Sequence, residues 1–306
     1  MDNLNVVVAL TTRDNDYQAE QAAAVAEMAS RLGIRIDVIY ADNDAVNQTQ
    51  QLVKLIQSDK RPSAILVEPV GTGMAQVARA AVAAKIGWGI INNEPDYLAE
   101  LRRGGLPVFS ISTDQSEVGR IQGDQITALV RQGNILYIEG PVSNMAAQLR
   151  SKGMMTTKPA AVALKTLKGD WTERSAQRAV QSWLSLASSR QLNIQAVICQ
   201  NDAMAMGARK AMGDLMEADR ERWQQLPFTG VDGVSKTGQE WVKREFLQAT
   251  IITAPAAGTA LEIFAKAVHG GTMPPERTLL PPKSFPSIAE LQKSRRQSEG
   301  AAALDS

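Results

Sequence analysis

The sequence is poorest in the side chains that most enzyme chemistry needs. It has one cysteine, Cys199, and one histidine, His269. A single cysteine forbids an internal disulfide and is compatible with any compartment. One residue of each kind cannot build a His/Cys metal site, so neither a metal nor a cofactor is expected. No Ser-His-Asp or Cys-His arrangement is suggested. Cys199 lies in an apolar run, which reads as a buried, inert thiol. His269 stands in AVHGG at the end of a helix, a favourable place for a partly charged imidazole. Charge of one sign is also lacking: Lys+Arg 33 against Asp+Glu 32 leaves a net +1. That balance argues against nucleic acid and against an anionic membrane surface as the main partner. The apolar run VVVAL is too short to span a bilayer. MDNLNVVVAL has no basic n-region, signal-length apolar run or small-residue cleavage site. The chain as given therefore reads as cytosolic, or as a mature form whose leader has been removed. The GTG at 71–73 is a fragment of a phosphate loop; it lacks a third glycine and a following Gly-Lys-Ser.

What is present is a long alternation of apolar strands and helices. The 306 residues, 44% of them hydrophobic, can fill one large domain or two ordinary ones. The stretch IQAVICQNDAMAMGARKAMG at 194–213 shows the unit. Ile194 to Cys199 read as a buried strand, Asn201 or Asp202 as an N-cap with Asp202 the better candidate, and Met204, Gly207, Ala208 and Ala211 as a helix face. Similar strands are expected at 5–10, 34–40, 64–69, 88–91 and 107–113. After a helix over 115–131 the pattern restarts with strands at 134–140, 161–167, 194–199, 228–233 and 249–255. Trp88, Trp183, Trp223 and Trp241 fall inside elements and read as packing. The polar stretch 292–306 reads as a disordered tail. The predicted fold is α/β: two doubly wound parallel-sheet lobes. The first takes 1–111 with about 254–280, the second 112–253 with about 281–291.

Ligands of such sheets bind beyond the carboxyl ends of the strands. The first half offers Asn15, Asp16, Tyr17, Glu68, Asn92, Asn93 and Asp114 there. The second offers Ser143, Asn144, Gln148, Trp171, Asn201, Asp232 and Thr253. Amides and carboxylates match sugar hydroxyls, and two aromatic rings match sugar C–H faces. Each also has a structural reading: Asp114 and Asn144 as helix caps, Tyr17 as a solvent-facing helix start, Trp171 as core. Glu68, followed by Pro69, also reads as simply the end of its strand. Glu68, Asp114 and Asp232 are the carboxylates a glycosidase would need, a weak case.

The chain resembles the type I periplasmic binding proteins, in the ribose- and galactose-binding branch shared with the ligand domains of LacI-type repressors. The resemblance rests on NVVVAL…DNDY, STDQSEVGRIQGD at 112–124, GPVSNMAAQLRSKGM at 140–154, QAVICQNDAMAMGARKAM at 195–212, TGVDG at 229–233 and ATIITAP at 249–255. It implies two lobes joined by a three-crossover hinge, with sugar bound in the cleft between them and no catalysis. It implies ligand contacts from Asn15 and Tyr17, and direct matches at Asn201 and Asp232. Trp171 stands for a stacking aromatic and Thr253 for a common glutamine. Asn92, Asn93 and Gln148 replace an aspartate and two arginines, Glu68 replaces an asparagine, and Gln18 stands where a second aromatic is frequent. An arginine fork and an amide are not equivalent partners for a diol, so ribose is not the expected ligand. Glu68 and Asp232 suit an amine-bearing or a neutral polyol. The implied role is a monomeric solute-binding protein serving the membrane permease of an ABC transporter, periplasmic if a leader was removed. The alternative is a cytosolic sensor that reports to a regulatory protein. Val6 already lies in the first strand, so the repressors' DNA-binding segment is not expected.

Overall fold

The computed structural model describes residues 4–187, 189 and 192–304. The chain divides into two compact units: 1–113 with 143–146 and 254–280, and 114–142 with 147–253 and 281–306.

The first unit is built on a six-stranded sheet. It contains β1 (Asn5–Leu10), β2 (Arg35–Tyr40), β3 (Ala64–Val67), β4 (Gly87–Ile91), β5 (Val108–Thr113) and β11 (Arg277–Leu280). Their order is β11-β5-β4-β3-β1-β2, and every pairing is parallel. Alternation along β1 explains why helices cover both faces. Val6, Val8 and Leu10 join a core with Val25, Leu261 and Phe264, from α1 (Asp16–Leu32) and α11 (Ala256–Gly270). Val7 and Ala9 join the opposite core with Leu52, Ile56, Val77 and Ala81, from α2 (Ala45–Gln57) and α3 (Ala75–Ala83). A short α4 (Leu98–Arg102) adds Leu98 and Leu101 to that second core.

The second unit repeats the plan with fewer strands. Its parallel sheet runs β7 (Val162–Lys168), β6 (Gly133–Glu139), β8 (Ile194–Cys199), β9 (Phe228–Thr229). Leu136, Ile138, Val197 and Cys199 pack on α7 (Glu173–Leu184) and α8 (Asp202–Gly213). Ile135, Tyr137, Ala196 and Ile198 pack on Ile126 and Met154 of α5 (Gln115–Leu129) and α6 (Met145–Thr157). Two short helices flank β9 in the chain, α9 (Glu217–Gln224) before it and α10 (Gly238–Lys243) after it. A separate antiparallel pair joins β10 (Thr250–Ile252) to β12 (Lys283–Phe285).

Several expectations change. The strand expected over 228–233 stops at Thr229, and Asp232 and Gly233 take positive φ of 115° and 58° that end an extended run. Two strands, β11 and β12, follow the one expected to be last. The stretch expected to be a disordered tail is helical: α12 spans Ile288–Leu304. Its Leu291 is buried against Ala128 and Ala249, and Arg295 Nη1 donates to the Thr127 carbonyl at 3.1 Å. Ala, Leu, Gln, Lys and Arg are strong helix formers, which outweighs the scarcity of large apolar side chains. Residues 305 and 306 lie outside the described residues. Cys199 is fully buried, and that burial pushes its thiol pKa up. His269 is exposed in the last turn of α11, and Gly271 caps it in the left-handed conformation.

Candidate functional site

In the first unit the ends of β1, β3 and β4 bring polar side chains together. Asn15 is the N-cap of α1, its Oδ1 accepting from Gln18 N at 2.9 Å. That places Asp16 on the exposed first turn and turns Tyr17 and Gln18 inward, both buried. Asn92, one residue past β4, is held in the left-handed region at φ 55°, which asparagine tolerates better than most residues. Its Nδ2 donates to Tyr17 Oη at 3.1 Å and to Glu68 Oε1 at 3.2 Å. Tyr17 Oη in turn donates to Asn92 Oδ1 at 3.4 Å. Gln18 Nε2 donates to Glu68 Oε2 at 2.9 Å. The backbone under Glu68 is fixed as well. Buried Gln48 donates to the Glu68 carbonyl and accepts from Val70 N, both at 2.8 Å. Tyr17, Glu68 and Asn92 are thus joined with Gln18 in one network of carboxylate, amide and phenol. Asn93 is not part of it. Its Oδ1 accepts from Glu94 N at 2.8 Å, and it lines a cavity of about 290 Å³ with Pro69, Thr72, Met74, Pro95 and Tyr97.

In the second unit the strand ends hold an aromatic ring. Trp171 follows β7 with φ 73°, a strained value for a bulky side chain. Its ring lies against Gly140, where an added Cβ would sit 2.3 Å from Cη2 and Cζ2. The Arg150 guanidinium lies 5.5 Å from the ring centroid, a cation–π distance. Arg150 is itself buried: Nε donates to Gln115 Oε1 at 2.8 Å and Nη1 to the Gln200 carbonyl. Asn201 Nδ2 donates to the Trp171 carbonyl at 2.9 Å, and its Oδ1 accepts from Met204 N at 2.9 Å. Gln148 is exposed and donates to the Val142 carbonyl at 2.7 Å. Asp232 and Thr253 are neighbours in a different way. Thr253 N donates to the Asp232 carbonyl at 3.1 Å, with the threonine hydroxyl 3.5 Å from the same oxygen.

The cap assignment at 201–202 is corrected. Asn201, extended at φ −152° and ψ 168°, is the N-cap of α8. Asp202 is the first helical residue and is a buried tie between chain segments. Its Oδ2 accepts from Gly233 N at 2.8 Å and its Oδ1 from the Thr250 hydroxyl at 2.7 Å. The capping geometry of Asp114 on α5, accepting from Glu117 N at 2.9 Å, is as expected. Arg150 was passed over in the sequence, and Gln18 was noted only as standing where an aromatic is frequent. The signal for Arg150 was present: it shares a helix face with Ala146, Ala147 and Met154, all buried, and a charge on a buried face demands partners.

A family model described as "Periplasmic binding protein domain" matches residues 6–271. The chain belongs to this family. Among curated relatives, it is 25% identical to the D-apiose import binding protein of Paraburkholderia graminis over 288 residues, covering 90% of this chain and 85% of the relative. It is 24% identical to the D-allose-binding periplasmic protein of Escherichia coli over 277 residues, covering 88% and 86%. Among solved structures, an ABC transporter solute binding protein from Bacillus halodurans with bound myo-inositol superposes with a TM-score of 0.78 at 19% identity, over 95% of this chain and 97% of that one. That likeness shows the shared fold. Among the described residues, no helix is long and apolar enough to cross a membrane, and no group of three His, Cys, Asp or Glu is arranged for a metal ion.

Proposed function

We propose that this chain binds a small carbohydrate or polyol, without catalysis, as the substrate-binding component of an ABC transporter, and that it works in the periplasm beside a membrane permease. The observation that carries this is the Gln18–Glu68–Asn92–Tyr17 network at the strand ends of a binding-protein fold. A carboxylate and amides with fixed orientations are what hydroxyl recognition requires. The printed functions of the D-apiose and D-allose relatives support the same class. In this reading Tyr17, Glu68 and Asn92 take hydroxyl groups, Trp171 offers its ring to a sugar face, and Asp232, with Asn15, Asp16, Asn93, Gln148, Asn201 and Thr253, completes the candidate set.

The test is a thermal-shift screen over pentoses, hexoses, polyols and amino sugars. A ligand at 100 times its dissociation constant stabilises by about 2.7 kcal/mol. Asp232→Ala and Trp171→Ala are each expected to abolish the shift while the unliganded protein keeps its far-ultraviolet circular dichroism. Absence of a shift with every carbohydrate would sink the proposal.

A further inference from the structure

We propose that Gln18 and Glu68 form an acceptor subsite for an amine, so that the ligand is an amine-bearing sugar or polyol; this rests on the carbohydrate reading above.

The orientation of the Gln18 amide is decided by its neighbour. Glu68 Oε2 lies 2.9 Å from Gln18 Nε2, and an ionised carboxylate only accepts, so the nitrogen must face it. The amide oxygen, Gln18 Oε1, is then left buried with no hydrogen-bond partner. Gln18 is 3% exposed. A buried acceptor in this state is costly, and its position beside a carboxylate marks a place where donors are wanted. Gln122 and Gln125 also carry such oxygens, but their amide nitrogens are bonded to the carbonyls of Cys199 and Thr250 inside the second unit rather than to a carboxylate.

Each donor group of the cluster already serves an acceptor inside it. Asn92 Nδ2 serves Tyr17 Oη and Glu68 Oε1, Tyr17 Oη serves Asn92 Oδ1, and Gln18 Nε2 serves Glu68 Oε2. What this group offers an incoming ligand is acceptors and negative charge. A hydroxyl brings one donor and two lone pairs, and its lone pairs would need donors in return. An ammonium brings three donors and no acceptor, and its bonds to a carboxylate are charge-assisted.

Binding is measured by calorimetry with matched probes: D-glucose and D-glucosamine, D-galactose and D-galactosamine, myo-inositol and its mono-amino analogue. The expected result is that an amino probe binds at least about tenfold tighter than its neutral partner. That preference disappears in Glu68→Gln, and it fades as pH rises through the pKa of the probe's ammonium. Gln18→Met keeps the side-chain length and removes the orphaned oxygen. It should weaken the amino probe more than its neutral partner, while the unliganded melting temperature also feels the loss of the Nε2 bond to Glu68. A melting temperature that falls in Gln18→Met with amino-probe affinity intact would assign Gln18 a structural role and overturn the subsite. Neutral probes binding as well as or better than amino probes would overturn it too, while leaving carbohydrate binding standing. No binding by either series, with no shift from any carbohydrate in the screen above, would remove both readings.

Discussion

Trp171 is the residue whose geometry is most constrained by its neighbours. Its left-handed backbone, the missing Cβ at Gly140 and the Arg150 guanidinium all serve one ring position. Adding a methyl in Gly140→Ala forces the indole away, because 2.3 Å is far inside contact distance. The expected loss is about 1–3 kcal/mol of stability, the usual cost of overpacking. In the Trp171→Ala background the same methyl should be nearly free. Denaturant unfolding of the four members of this cycle checks it, and additive losses would show that the ring is not what the methyl strikes. Tyr97 gives a residue-scale prediction in pH. Burial pushes its phenol up to about 12 from the ordinary 10.0. The folded state therefore holds the phenolic proton more tightly than the unfolded one. This contribution is whole below pH 10 and is lost as pH rises toward 12. Melting temperatures of Tyr97→Phe should fall less over pH 10–12 than those of the parent; parallel curves would refute the assignment. Residues such as Gln18, Gln48 and Arg150 were hard to read because polarity at a helical position usually signals solvent. Here they face inward and answer strand-end carbonyls and carboxylates, partners that only the fold supplies.

At the scale of elements, the alternation of apolar strands with helices was legible because both faces of a parallel sheet are covered. Strands such as VVVAL and AILV therefore read as unbroken apolar runs. The short pieces were not. β11 and β12 have four and three residues, too few for any period, and what defines them is pairing with distant segments. The 201–202 cap was misjudged for a similar reason: Asp and Asn cap equally well, and only the carboxylate's partners at Gly233 and Thr250 separate them. The packing of α5 on α6 shows a second kind of signal. A Cβ on Gly119 would lie 2.1 Å from the Arg150 carbonyl oxygen, and one on Gly153 2.2 Å from that of Ser116. The helices touch backbone to backbone, and neither carbonyl can swing aside as a flexible side chain would. Gly153→Ala should therefore destabilise by about 1–3 kcal/mol or more, despite alanine's better helix propensity of about 1 kcal/mol. A urea midpoint equal to or above the parent's would mean that the helices separate at little cost. Because α6 also carries Arg150, the same substitution should loosen the seat of Trp171 and weaken carbohydrate binding.

For the whole molecule, the near-neutral charge and the binding-protein fold lead to one distinction that can be measured. A binder stabilises its folded state by mass action and returns its ligand unchanged. Stabilisation then follows the logarithm of one plus the ratio of ligand to dissociation constant, so each tenfold rise in sugar well above that constant adds about 1.4 kcal/mol. The melting temperature should keep climbing with the logarithm of sugar concentration, with no plateau. Sugar recovered after long incubation should be chemically identical to the sugar added. A glycosidase built on Glu68, Asp114 and Asp232 would instead consume its ligand during the heating ramp and show product by chromatography. The positions of these groups already weigh against that chemistry. Glu68 is held by two amides and the Asp114 carboxylate caps a helix, which are orienting roles. Product formation that survives Asp114→Asn but not Glu68→Gln would nevertheless reverse the assignment. A rising melting temperature with the sugar recovered intact leaves binding as the activity of the chain.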